Sequence, residues 1–95
     1  MAQHIEGKVV AVDSQGNLVT DITRAMLAAT PTDDKTTVHC DGHETHGIFD
    51  THAEQPSMTL VAVLGSNDQL ELAIVDDSAK MMLGVTVGAD VKVRW

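Results

Sequence analysis

Aromatic side chains are almost absent from this chain of 95 residues, which has one Phe, one Trp and no Tyr. Proteins that bind unpaired bases stack them on aromatic rings, and this chain has no set of such platforms. Cations are also few, since 6 Lys and Arg stand against 14 Asp and Glu, for a formal net charge of −8. Such a chain repels phosphate backbones and anionic lipid surfaces. We therefore expect neither nucleic acid nor a membrane as its primary partner.

Cysteine occurs once, at Cys40, which excludes a disulfide within the chain. The polar start from Met1 to Glu6 lacks the charged and apolar regions of a signal peptide. No apolar run approaches the roughly 18 residues of a membrane span. These absences predict a cytoplasmic protein. The length predicts one domain that comprises residues 1–95.

The apolar residues that are present are mostly aliphatic and lie in short runs separated by polar turns. Residues 7–12 and 18–22 are two such runs, rich in the Val and Ile that favour a pleated surface. Between them, Gly16 and Asn17 tolerate positive φ, so we expect a hairpin. Asp41-Gly42 separates two further runs, and this dipeptide is typical of a type I′ hairpin turn.

Two segments favour short helices. Residues 23–29 have Asp21 or Thr23 as a candidate N-cap and are followed by Thr30-Pro31, which does not continue a helix. Residues 79–83 are preceded by Asp76-Asp77-Ser78, which supplies a cap, and followed by Gly84, which suits the left-handed position after a helix.

The fold class follows from the number and length of these segments. Apolar residues alternate with more polar ones over residues 69–74, as expected of a strand with one buried face. An open sheet of this size would leave long apolar edges. We therefore predict an all-β fold, a small antiparallel Greek-key β-barrel of six or seven strands with one or two short helices.

Three stretches of the chain resemble a known family. Asp13-Ser14-Gln15-Gly16-Asn17-Leu18-Val19-Thr20-Asp21-Ile22 is similar to the family pattern Asp-x-Phe-Gly-Asn-x-x-Thr-Asn-Ile. Residues 66–79 are similar to Asn-Ser-x-Gly-x-Leu-Glu-Ile-Ala-Val-Asn-Arg-Gly-Ser-Ala, and residues 83–93 to the end of the same domain. The family is that of the S-adenosyl-L-methionine (SAM) hydroxide adenosyltransferases, relatives of the fluorinating and chlorinating enzymes, and the likeness is to their C-terminal domain.

The resemblance implies both a site and a limit on its chemistry. In that family the C-terminal barrel supplies the pocket for the adenine and part of the methionine of SAM, whereas a separate N-terminal α/β domain holds the carboxylate that activates water. Carried over by position, Asp13 would accept the ammonium group of the ligand and Asn17 would hydrogen-bond the adenine edge. Ser66 and the backbone around Ala79 would line the pocket. A chain without the first domain is not expected to be an enzyme by itself.

The chain departs from the family pattern at four positions. Gln15 stands where the loop Phe is expected, and Asp21 replaces the second Asn. His52 stands where an aromatic residue is expected before the long apolar strand, and Asp76 replaces the Arg. Loss of a stacking platform removes about 1–3 kcal/mol, and loss of a charge-assisted contact about 1.5–3 kcal/mol. These substitutions predict a degraded pocket.

The resemblance therefore predicts a non-catalytic binding or assembly module. One alternative is a subunit that binds SAM or adenosine weakly and works with a separately encoded catalytic chain. Self-association is also implied, because barrels of this family help to form trimers. No cofactor is expected.

A histidine-rich segment offers a second alternative, a metal site. His39, Cys40, His43 and His46 lie within eight residues and carry ligands that zinc, nickel and copper accept. With Asp41-Gly42 as a two-residue turn, Cys40 lies opposite His43 and His39 opposite Glu44, on different faces of the ribbon. Only a weaker three-ligand set of His39, Glu44 and His46 shares one face. Its spacing matches no strong zinc signature, so a metal is not the expected function.

Overall fold

The computed structural model of the chain describes residues 3–49, 56–64 and 68–95, about half of which lie in strands. Eight strands and one helix are present in these ranges: β1 (His4–Val12), β2 (Leu18–Thr23), β3 (Thr37–Cys40), β4 (His43–His46), β5 (Ile48–Phe49), β6 (Leu60–Leu64), β7 (Gln69–Ile74), α1 (Ala79–Leu83) and β8 (Asp90–Arg94). The predicted all-β barrel is confirmed. The described strands number eight because Gly47 divides residues 43–49 into two.

One sheet contains all of these strands, in the order β4-β3-β8-β1-β2-β7-β6-β5. Neighbouring strands are antiparallel except for the two-residue pair of β5 with β6, which is parallel. The long strand β1 belongs to both halves, because residues 4–8 pair with β8 and residues 9–12 pair with β2. A register shift between Val9 and Ala11 marks the change, and a bulge of this kind bends the strand.

The sheet is nearly closed by the short segment that contains β4 and β5. These strands lie at the two ends of the strand order but are separated in sequence only by Gly47, whose φ is +82°. A side-chain hydrogen bond also crosses the gap between β4 and β6, from Thr45 Oγ1 to the Leu60 carbonyl at 2.7 Å. Closure reduces the exposed strand edges that otherwise attract further strands.

The core is aliphatic, as the composition requires. Leu70, Leu72 and Ile74 point into the barrel, which confirms the predicted alternation in β7. A second apolar cluster lies on the opposite side of β6 and β7 and consists of Val61, Val63, Ala73 and Val75, with Phe49 packed against it. Inside the barrel, Thr20 is completely buried, and its Oγ1 donates to the Leu70 carbonyl at 2.7 Å.

The predicted turns and one of the two predicted helices are confirmed. Asp41 and Gly42 both have positive φ, +48° and +85°, as a type I′ turn requires. Helix α1 begins after Ser78, whose Oγ accepts a hydrogen bond from Met81 N, and ends at Gly84 with a φ of +66°. No helix in the described ranges is long and apolar enough to cross a membrane.

The helix predicted over residues 23–29 is wrong. The segment forms successive turns after β2, in which Thr23 Oγ1 accepts a hydrogen bond from Met26 N. Only Leu27 in this stretch is buried. Seven residues with one buried side chain gain too little packing to offset the cost of helix nucleation.

The Thr45 hydrogen bond gives a test of barrel closure. Thr45→Val keeps the shape of the side chain but leaves the Leu60 carbonyl without its donor, so we expect a loss of about 1 kcal/mol in the free energy of unfolding. Thr37→Val is the matched control, because Thr37 makes a long, exposed contact of 3.4 Å with His46 Nδ1. Urea unfolding of both variants measures the difference. Equal costs would contradict a role for Thr45 in closure.

Candidate functional site

The loop between β1 and β2 is organised by the carboxylate of Asp13. Its Oδ1 accepts hydrogen bonds from the backbone N–H groups of Gln15 and Asn17, both at 2.9 Å, and its Oδ2 accepts one from Asn17 Nδ2 at 3.1 Å. Asp side chains commonly stabilise turns in this way. The structure therefore brings together the two residues expected to bind ligand, and their polar groups hold the loop in shape.

Gly16, at the tip of this loop, packs against the first turn of α1. A Cβ atom on Gly16 would lie 2.0 Å from Ser78 Oγ and 3.1 Å from Ser78 Cα, so only glycine allows this approach. Lys80 N donates to the Gly16 carbonyl at 2.9 Å. Ala79, also expected at the site, is completely buried and offers no surface to a ligand.

A small cleft lies beside this contact. Its volume is about 320 Å³, and its lining residues are Gln15, Asn17, Ile74, Asp76 and Asp77. Three of the positions identified from the sequence, 15, 17 and 76, therefore line one cleft. The exposed Asp76 has a φ of +65°, and its Oδ2 accepts a hydrogen bond from Ser57 Oγ.

Glu71 is a second acidic group at the loop, and the sequence patterns did not identify it. It lies on β7, opposite Val19 of β2 and Val63 of β6. Partial burial raises the pKa of Glu71, and the charge of Asp13 and a hydrogen bond between the two carboxyl groups raise it further. The carboxyl groups of Glu71 and Asp13 thus meet across β2, and this contact depends on strand register and not on sequence spacing.

The charge and chemistry of the cleft limit what it can bind. Among the described residues, its lining offers two carboxylates and two side-chain amides, and no Lys, Arg or aromatic residue. Carboxylates attract a cation, and amides can donate to and accept from the edge of a heterocycle. The arrangement suits a small, polar, positively charged ligand better than an anion.

Of the other predicted positions that the structure describes, Asp13, Asp21 and Ala79 do not line the cleft. Asp21 is exposed, on the outer side of β2, and its Oδ1 accepts a hydrogen bond from Lys8 N at 2.8 Å, so it does not reach the cleft. Ser66 and His52 lie outside the described residues.

The histidine hairpin has the register predicted from its turn. Cys40 pairs with His43, and His39 pairs with Glu44, with 3.5 Å between His39 Nδ1 and Glu44 Oε2. His46 lies on the same outer side, opposite Thr37. Among the described residues, no three His, Cys, Asp or Glu side chains are placed to hold a metal ion.

The two residues His43 and Cys40 on the inner side of this hairpin also offer no reactive group. His43 Nε2 donates to the Leu83 carbonyl at 3.2 Å, which joins the hairpin to the end of α1. Cys40 is buried, and burial together with the charges of Asp41 and Asp90 raises the pKa of its thiol to about 11. A thiol in this state is a poor nucleophile at neutral pH.

The close contact at Gly16 predicts that a single added methyl group there strongly lowers the free energy of unfolding. Gly42 is the matched control, because its φ of +85° is close to the +84° of Gly16 but a Cβ atom on Gly42 would have no neighbour within 4 Å. We expect Gly42→Ala to cost about 1 kcal/mol from backbone strain alone, and Gly16→Ala to cost about 1–3 kcal/mol more from the overlap with Ser78. Thermal or urea unfolding measures both. Similar losses would contradict the close approach.

The Glu71–Asp13 contact predicts a pH-dependent stability. Because the folded state holds the Glu71 proton more tightly, stability falls as pH rises from the usual value of 4.5 through the raised pKa. Glu71→Gln removes this loss and keeps a donor for Asp13. We expect the variant to melt above the native protein at pH 7, with a difference that shrinks below about pH 4. Asp34→Asn, in an exposed loop, controls for net charge, and a pH-independent difference would contradict the raised pKa of Glu71.

Two solved structures of longer proteins have the same fold. An uncharacterized conserved protein from Thermotoga maritima is 22% identical with a TM-score of 0.80, and the match covers 95% of this chain and 35% of that one. A conserved hypothetical protein from Thermus thermophilus is 32% identical with a TM-score of 0.75, over 93% of this chain and 34% of that one. This chain thus spans about a third of the length of these relatives. The sequence matches none of the curated proteins compared with it.

The model of one protein family accounts for most of the sequence. It describes the SAM hydroxide adenosyltransferase C-terminal domain and matches residues 7–92. The match includes the Asp13 loop, the cleft and all strands from β2 to β7. The chain therefore belongs to the family of SAM hydroxide adenosyltransferase C-terminal domains.

Proposed function

We propose that this barrel is a non-catalytic module that binds the adenosine or sulfonium part of SAM weakly, at the cleft beside Asp13, and works with a separate catalytic chain. The observation that carries the proposal is the grouping of positions 15, 17 and 76 around one cleft, in a chain of this family.

The size of the cleft favours a part of SAM over the whole molecule. Small-molecule sites commonly have volumes of about 300–1,000 Å³, so a cleft of about 320 Å³ is at the lower end of that range. A nucleoside is a suitable occupant of such a space. The rest of a larger ligand would need a surface supplied by another domain or chain.

The electrostatics support a cationic ligand. Asp76 and Asp77 line the cleft, and Asp13 and Glu71 lie behind its loop. SAM carries a sulfonium and an ammonium group, both of which are attracted to carboxylates. Because Asp13 already accepts three hydrogen bonds, its remaining role toward a ligand is that of a nearby negative charge.

The substituted positions predict weak binding. Gln15 and Asp76 both line the cleft, at positions where the resemblance expects Phe and Arg. The lost stacking and charge-assisted contacts amount to about 2.5–6 kcal/mol. This difference corresponds to roughly two to four powers of ten in Kd.

The part of the family that is matched supports a role without catalysis. The match is to the C-terminal domain, whereas the resemblance assigns the water-activating carboxylate to a different domain. We therefore assign this chain a binding role and place the chemistry on a partner.

A second candidate is an assembly module that has lost the ligand. Helix α1 exposes Met81 to 82% and Met82 to 51%, and Val87 in the next loop is 59% exposed. Exposed apolar side chains of this kind favour contact with another protein surface. Under this alternative the barrel contributes surface to an oligomer and binds no nucleoside.

Thermal melts with SAM and with adenosine separate the two candidates. At a ligand concentration about ten times Kd, binding adds about 1.4 kcal/mol of stability, or roughly 6–11 °C for a domain of this size. Asp13→Asn keeps an acceptor oxygen for the loop but removes the charge, and we expect it to weaken SAM binding by at least about tenfold.

Asp34→Asn is the matched control, since it changes the net charge equally from an exposed loop. It should leave Kd unchanged. A melting temperature that neither ligand shifts in the native protein would contradict the binding role and favour the assembly module. Equal effects of the two variants would contradict a site at Asp13.

A further inference from the structure

A second concave surface lies on the outer side of β1, β8 and β3, away from the cleft. It is a groove of about 710 Å³, and its lining residues include none of those that line the cleft. Strand alternation points Lys92 and Arg94 of β8 outward, together with Glu6 and Lys8 of β1. The family resemblance assigned no residue here except Asp21.

One end of the groove is basic. Arg94 lies between His4 of β1 and Thr37 of β3, and Thr37 pairs in turn with His46 of β4. This row across four strands contains no carboxylate. Within residues 3–49, 56–64 and 68–95, the exposed Arg94 guanidinium has no ion pair or hydrogen bond, although the chain has more than two acidic residues for each basic one.

In the middle of the groove, basic side chains lie close to carboxylates. Lys92 Nζ lies 3.3 Å from Glu6 Oε1, and His39 Nδ1 lies 3.5 Å from Glu44 Oε2 in the same row. The Lys92–Glu6 pair leaves little net charge between the two ends.

The other end is acidic. Asp21, Asp41 and Asp90 all line it, and Lys8 is the cation among them, with its Nζ 3.8 Å from Asp90 Oδ1. The charges of Asp41 and Asp90 both act on the buried Cys40 and raise the pKa of its thiol, which indicates a concentrated negative potential at this end.

The spacing of the two ends sets the length of a complementary ligand. Arg94 and Asp90 lie on the same face of one strand, four residues apart, which corresponds to about 13 Å. A fully extended tetrapeptide has about the same length. Its terminal carboxylate and ammonium would then match the basic and acidic ends of the groove.

We propose that this groove binds an extended peptide with a carboxylate at the Arg94 end and an ammonium group at the Asp21–Asp90 end. The guanidinium supplies a planar pair of N–H donors that suits a carboxylate. The three carboxylates attract the ammonium group. The groove volume is in the range of sites for ligands of this size.

The probe is tetra-alanine with free termini, titrated into isotopically labelled protein and followed by backbone amide NMR. We expect shifts confined to residues 6–8, 39–41 and 90–94. Tetra-alanine that is acetylated and amidated at its ends should cause none. Peptides blocked at one end only should each bind about fivefold more weakly than the free peptide.

Two exposed substitutions assign the ends. Arg94→Gln should weaken binding of the free peptide about fivefold. This variant should bind peptides with free and amidated C-termini with equal affinity. Asp90→Asn should bind peptides with free and acetylated N-termini with equal affinity. Absence of shifts with free tetra-alanine at about 20 mM, or equal affinity of the free and doubly blocked peptides, would overturn the proposal. Shifts at residues 13–17 instead would place the peptide in the cleft and would equally overturn it.

Discussion

The close approach of Gly16 to Ser78 is the contact on which the candidate site depends. It allows the loop after β1 to rest on the first turn of α1, and the cleft exists because these two segments meet. Asp13 supports the same loop from within by accepting three hydrogen bonds. Glycine at position 16 is therefore required by packing as well as by backbone conformation. The Asp13 carboxylate therefore stabilises the turn, and a ligand would bind to a surface that the turn has already formed.

The barrel gives this small chain two separate polar surfaces. The bend of β1 lets one strand pair with β8 along its first half and with β2 along its second half. The first half carries the outer charged groove, and the second half leads into the Asp13 loop. Gly47 allows a single segment to occupy both ends of the sheet. A core of Val, Leu and Ile fills the interior without needing aromatic side chains.

Local features of the fold could be predicted from the sequence, and contacts between distant strands could not. The Asp41-Gly42 turn and the capped helix after Ser78 depend on a few neighbouring residues, and both are as expected. Residues 23–29 have helix-forming composition, but one buried Leu does not stabilise a helix. The Glu71 contact with Asp13 joins strands separated by β2, so it requires the register that only the structure supplies. The separation of basic and acidic ends in the outer groove also depends on strand register.

The most direct test of the account is an amide NMR titration of the labelled chain with adenosine. Ligand in the cleft should shift the resonances of residues 13–17 and 74–80 in a concentration-dependent way and leave the groove residues 90–94 unchanged. Saturable shifts of that pattern would establish a nucleoside site on the barrel. Absence of shifts, or shifts centred on another surface, would contradict the proposed binding role and leave a family barrel whose function is assembly.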